Sequence, residues 1–89
     1  METYIVVYDL HKHGQNYECV HKKLRDYGSY CHLQGSVWLV RSQSSAVQVR
    51  DNLQSCLDQN DKIYVAALTG EAAWKGHTAE ISSWIKTKA

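Results

Sequence analysis

Apolar positions along the chain follow two periods, one typical of strands and one of helices. Tyr4-Ile5-Val6-Val7-Tyr8 is an unbroken run of β-branched and aromatic residues. It predicts a strand from Thr3 to Asp9 that is apolar on both faces, with neighbours on both edges and helices covering it. Asp9 closes that run and so stands at the rim of the sheet, where water or a metal ion can reach it. Leu10 to Asn16 turns polar, and Asn16 is placed as the N-cap of a helix. In that helix Tyr17, Val20, Leu24 and Tyr27 recur three or four apart, while Lys22, Lys23, Arg25 and Asp26 fall mostly on the other side. Glu18 in the first turn favours the positive end of the helix dipole, and Gly28 supplies the left-handed residue that ends the helix.

Ser29 to Leu33 and the strand-like Val37 to Arg41 read as a hairpin turning at Gln34-Gly35-Ser36. Ser45, with Gln48 three residues on, fits a capping box, and Ala46, Val49, Leu53, Cys56 and Leu57 then repeat at helical spacing. A turn cluster at Asp58-Gln59-Asn60-Asp61 precedes a third apolar strand from Lys62 to Leu68, ended by Gly70. The order strand, helix, strand, strand, helix, strand predicts an α+β ferredoxin-like βαββαβ fold: a four-stranded antiparallel sheet with both helices on one face. The other face then needs cover. Tyr4, Tyr8, Trp38, Tyr64 and Trp74 are assigned to it as a dimer interface, with a partner subunit as the simplest cover. Residues 71–89 form a tail in which Gly76-His77-Thr78 leads into a short helix carrying Ile81, Trp84 and Ile85 on one side. The whole chain is expected to be a single domain, with its core at 3–70.

Length and composition narrow the function. A chain of 89 residues buries one small core and encloses no large substrate cavity, so a site must lie at a surface cleft or between subunits. A net charge of +1 carries no overall basic excess, which leaves only local patches for nucleic acid. Cys19, Cys31 and Cys56 lack zinc-site spacing, and their odd number argues against a closed disulfide framework. Reduced cysteines in a cytoplasmic setting are expected. The longest apolar run is far below the ~20 residues of a membrane span, and no leader, linker or repeat is visible.

Four segments together resemble the Cas2-like superfamily, in particular its short SinR-like branch. They are Tyr8-Asp9-Leu10 at the end of the first strand, Leu24 to Gly28, Gly35 to Val40, and Asn60-Asp61-Lys62-Ile63 leading into the last core strand. The resemblance spans residues 3–70 in order. It implies a homodimer packed sheet against sheet and, for some members, metal-dependent endonuclease activity on RNA or DNA. It also implies that Asp9 meets its twin across the twofold axis, where the two hold Mg2+ or Mn2+. At the position where CRISPR-linked members carry paired arginines, this chain has His11-Lys12-His13 followed by Asn16-Tyr17-Glu18.

Two carboxylates suit Mg2+, a hard cation that keeps several waters; alternatively, Asp9 accepts hydrogen bonds from amides of the following loop. His11 and His13 are candidate accessory groups for metal binding or proton transfer, or plain surface residues. Lys12, Lys22, Lys23 and Arg25, with Tyr17 for stacking, form a candidate nucleic-acid stripe, or a solvated helix face diluted by Glu18 and Asp26. Trp38, Trp74 and Trp84 are expected in core or interface, and Cys31 and His32, as neighbours on a strand, on opposite faces. The reading from sequence is a homodimer that binds nucleic acid, to which the resemblance adds metal-dependent endonuclease activity at paired Asp9 as an open expectation. Its alternative is a catalytically inactive protein-interaction module of a toxin-antitoxin, phage or defence-related system that binds a partner through a sheet edge or the C-terminal tail.

Overall fold

The computed structural model describes residues 1–11 and 17–89. The expected cap Asn16, together with Lys12 and His13, lies outside the described residues. Seven elements follow one another: β1 (Glu2–Asp9), α1 (Tyr17–Arg25), β2 (Tyr30–Gln34), β3 (Val37–Ser42), α2 (Ala46–Gln54), β4 (Lys62–Ala67) and α3 (Ala79–Lys88). The strands form one antiparallel sheet in the order β2-β3-β1-β4, the ferredoxin-like arrangement expected from the pattern. β1 is central, with Val6 opposite Trp38 on one side and Val65 on the other.

Alternation along the pleat divides each strand between two layers. Tyr4, Val6 and Tyr8 of β1, with Trp38 and Val40 of β3, face the helices and pack with Val20 and Leu24 of α1 and Val49 and Leu53 of α2. This corrects the interface assignment: Tyr4, Tyr8 and Trp38 are 5, 3 and 3 % exposed and belong to the core beneath the helices. An aromatic residue with a polar tip is stable there once the tip is bonded. The Tyr4 hydroxyl donates to the Ser44 carbonyl (2.7 Å), and the Trp38 indole donates to the Tyr8 hydroxyl (3.1 Å).

The opposite face carries Ile5, Cys31, Leu33 and Leu39, and α3 lies over them with Ile81, Trp84 and Ile85. The cover assigned to a partner is therefore supplied in part by the chain's own tail. Trp74 is half-buried in this second cluster, its indole donating to Ser82 Oγ (3.0 Å). Thr78 caps α3 by accepting from the Ile81 amide (3.2 Å), and Thr3 Oγ1 ties the helix end to β1 by donating to the Lys88 carbonyl (2.6 Å).

Local signals hold where they are chemical. Ser45 Oγ accepts from the Gln48 amide (3.2 Å), and Gln48 Oε1 accepts from the Ser45 amide (2.8 Å), closing the capping box that starts α2. Gly28, at φ 83°, makes the left-handed stop after α1. The cysteines depart from expectation. Cys19 in the first turn of α1 is disulfide-bonded to Cys56 just beyond α2, with Cα atoms 5.7 Å apart, and Cys31 is free and buried under α3. An odd count leaves one cysteine over but does not stop two from meeting, and packing α1 beside α2 brings this pair within bonding range. Among the described residues, no helix is long and apolar enough to cross a membrane.

Candidate functional site

Asp9 ends β1 on the face away from α1 and α2. The β1–β4 register sets it opposite Lys62 and sets Val7 opposite Tyr64. Residues directly opposite share a face, so these four side chains form one corner of the outer face. Asp9 and Lys62 are exposed, and Val7 and Tyr64 keep 36 and 65 % of their surface in solvent. Tyr64 is thus the one member of the predicted interface set that stands fully on open sheet.

Of the loop amides expected to bond Asp9, the described one at His11 goes instead to Asp61. Its Oδ1 accepts from the His11 amide (2.7 Å), and its Oδ2 accepts from the Asp58 amide (3.0 Å). Asp61 thereby clamps the chain leaving β1 to the turn that enters β4. The Asp9 carboxylate has no hydrogen-bond partner among the described residues. His11 is exposed two residues beyond it. As donors for a cation, the described residues of one chain offer a single unpartnered carboxylate at this corner and contain no cluster of three metal-ligating side chains. That set does not fit zinc, which takes three or four protein ligands, but it fits Mg2+ or Mn2+, which accept one or two carboxylates and retain water. Lys62 carries no site signal in the sequence. Only the strand register shows that it neighbours Asp9.

The three described residues of the candidate basic stripe are not gathered around Asp9. Lys22, Lys23 and Arg25 lie on α1, in the layer on the other side of the sheet. Each has a local partner: Lys22 pairs with Asp26 (3.2 Å), Arg25 with Glu18 (3.0 Å), and Lys23 Nζ donates to Asn52 Oδ1 (3.5 Å). Such exposed ion pairs contribute only about 0–1 kcal/mol, so they dilute the stripe without locking it.

Tyr17 joins a group of rings at the edge formed by α1 and β2. His32 is stacked on Trp38 with centroids 4.3 Å apart and planes 10° apart; His21 and Tyr30 lie 5.2 and 5.8 Å from the same indole, and Tyr17 lies 6.1 Å from His21. The Tyr8 hydroxyl and His21 Nε2 are hydrogen-bonded at 2.8 Å. Burial pulls the His21 pKa below its ordinary value, helped by the nearby His32 and Arg25 and opposed by Glu18. Burial likewise pushes the Tyr8 hydroxyl up, partly offset by the bond from Trp38, and pushes the Cys31 thiol up, with Glu80 adding to it. His21 carried no sequence signal; it reads as one more polar residue on a helix, and only the packing of α1 over β2 reveals its company. Cys31 and His32 point to opposite faces as expected, one under α3 and the other against Trp38.

Comparison with known proteins agrees with this architecture. A solved structure described as the crystal structure of cas2 superposes with a TM-score of 0.64 at 21% identity, covering 88% of this chain and 90% of that one. That similarity supports the fold. The model of the family described as CRISPR associated protein Cas2 matches residues 1–76, which takes in every strand, both core helices and the Asp9 corner. On that match, the chain belongs to the CRISPR-associated Cas2 family.

Proposed function

We propose that the protein is a homodimeric, nucleic-acid-binding endonuclease of a CRISPR-associated defence system, working in the cytoplasm with Mg2+ or Mn2+ held by Asp9. Residues 3–70 and the tail 71–89 act as one domain in each subunit. The observation that carries this reading is the corner described above: an exposed Asp9 carboxylate with no hydrogen-bond partner among the described residues, beside Lys62 and the open apolar pair Val7 and Tyr64. Val7 and Tyr64 supply the apolar contact that a second copy covers, and such a contact about a twofold axis sets Asp9 near its twin. Two chains then offer the two carboxylates that one chain lacks.

When bound, a divalent cation polarises the phosphodiester and lowers the pKa of a bound water. The chain's own groups do the rest. Asp9 provides the oxygen ligand, and Lys62 places a positive charge where a phosphate oxygen has to sit. Asp61 is a positioning residue: by holding the His11 amide it sets the path of the chain that leaves Asp9. The exposed His11 imidazole is available for proton transfer two residues from the carboxylate.

The test is cleavage of end-labelled single-stranded RNA and DNA in Mg2+ or Mn2+, with EDTA as control. Wild type is expected to cleave, Asp9→Asn to elute as a dimer without cleaving, and Tyr64→Glu to elute as a monomer without cleaving. Undiminished cleavage by Asp9→Asn refutes the assignment. A dimeric wild type that cleaves neither substrate leaves the alternative, an inactive module that engages a protein through the edge of β4 or the C-terminal tail.

A further inference from the structure

We propose that Tyr30, His21 and His32, grouped around Trp38, form a stacking platform for the bases of single-stranded nucleic acid, separate from the Asp9 corner. The proposal rests on the nucleic-acid-binding reading above and adds where and how the strand is held. Tyr30 and His32 pair with Val40 and Trp38 of β3, so they belong to the helix-side layer, whereas Asp9 and Lys62 belong to the other. The two sites occupy opposite faces of one sheet.

Rigidity is the first argument. Trp38 is 3 % exposed and anchored in the core through its bond to Tyr8, and His32 lies parallel to it. The His32 ring is also fixed at its edge, where Nε2 donates to the Gly35 carbonyl at 2.7 Å. His32 is nevertheless exposed, as is Tyr30 at 38 %. The result is a flat ring, held from below and open to solvent, with Tyr30 and His21 as flanking walls. Rings already fixed lose little freedom when a base stacks on them, and every base has a face that can do so.

Polarity is the second argument, and it favours a base over an apolar peptide. Both imidazoles use Nε2 within the protein, and neither Nδ1 has a partner among the described residues, which leaves ring nitrogens for the edge of a base. Charge is the third. Arg25 sits one turn beyond His21 on α1, its side chain bonded among the described residues to Glu18, and that exposed pair can be exchanged for a phosphate.

Fluorescence anisotropy in EDTA, which removes metal-dependent cleavage, tests the platform. The probes are a short labelled single-stranded oligonucleotide and an abasic strand of equal length. Wild type is expected to bind the first more tightly than the second. Tyr30→Ala and His32→Ala should each weaken binding by about 5- to 150-fold, the loss expected for one stacked base, and abolish the preference over the abasic strand. His32→Phe keeps a ring and should retain most of the affinity; circular dichroism checks that all variants fold. If wild type binds but His32→Ala and Tyr30→Ala bind equally well, the platform is overturned while the nucleic-acid reading stands. Equal binding of the abasic strand by wild type overturns it too, because phosphate contacts then suffice. If wild type binds neither strand, the nucleic-acid reading falls and the platform falls with it.

Discussion

Breaking the Cys19–Cys56 disulfide is expected to lower stability sharply. The bond closes a loop with a sequence separation of 37. The loop-entropy relation gives about 4 kcal/mol for a loop of that length, and typical measured gains are roughly 2–4 kcal/mol. With a urea m-value near 1 kcal/mol/M for a small domain, the midpoint should fall by about 2–4 M on reduction. The assay is urea unfolding followed by tryptophan fluorescence, on oxidised protein, on protein treated with a phosphine reductant, and on Cys19→Ala/Cys56→Ala. Reduced wild type and the double variant should unfold at similar, lower urea, and the reductant should leave the double variant unchanged. Thiol titration of denatured protein should count Cys31 alone before reduction and all three cysteines after it. Coincident midpoints with and without reductant, or three thiols in the unreduced protein, would refute the reasoning.

Other consequences follow from the same packing. The His21 pKa is lowered in the fold, so the unfolded chain takes up the proton first. Stability should therefore fall as pH drops through the unfolded value of 6.5 towards the lower folded one, and be retained above it. Urea midpoints measured from about pH 8 down to about pH 5 should show a shallower decline for His21→Gln than for wild type. Ser45→Ala removes one arm of the capping box that starts α2 and should cost about 1 kcal/mol by thermal unfolding. Leu24→Ala empties a fully buried position between α1 and the sheet and should cost about 2–5 kcal/mol by urea unfolding.

Much of the fold is legible in the sequence because its signals are local. The Ser45 and Gln48 box, the Gly28 stop, the hairpin at Gly35 and the period of each amphipathic helix act within a few residues, and each appears where expected. What sequence does not settle is which side of an all-apolar strand faces which layer. Tyr4, Val6 and Tyr8 alternate with Ile5 and Val7, both sets apolar, and only the placement of α3 over Ile5 and Leu39 tells them apart. Tyr4, Tyr8 and Trp38 fall under the helices, while Ile5, Leu33 and Leu39 take the opposite face. The site shows the same limit. Asp9 stands out as a carboxylate closing an apolar run, but its neighbour Lys62 is far away in sequence and reaches it through strand register. Cys19 and Cys56 likewise meet through helix packing, which a count of cysteines cannot foresee.

The most direct test of the proposed metal-dependent dimer is a Mn2+ titration followed by electron paramagnetic resonance, with the oligomeric state measured on the same samples. Two Asp9 carboxylates sharing one cation predict one Mn2+ bound per two chains in wild type, and loss of that binding in an Asp9→Asn variant that remains a dimer. A dimer whose Mn2+ binding is unaffected by Asp9→Asn would contradict the account.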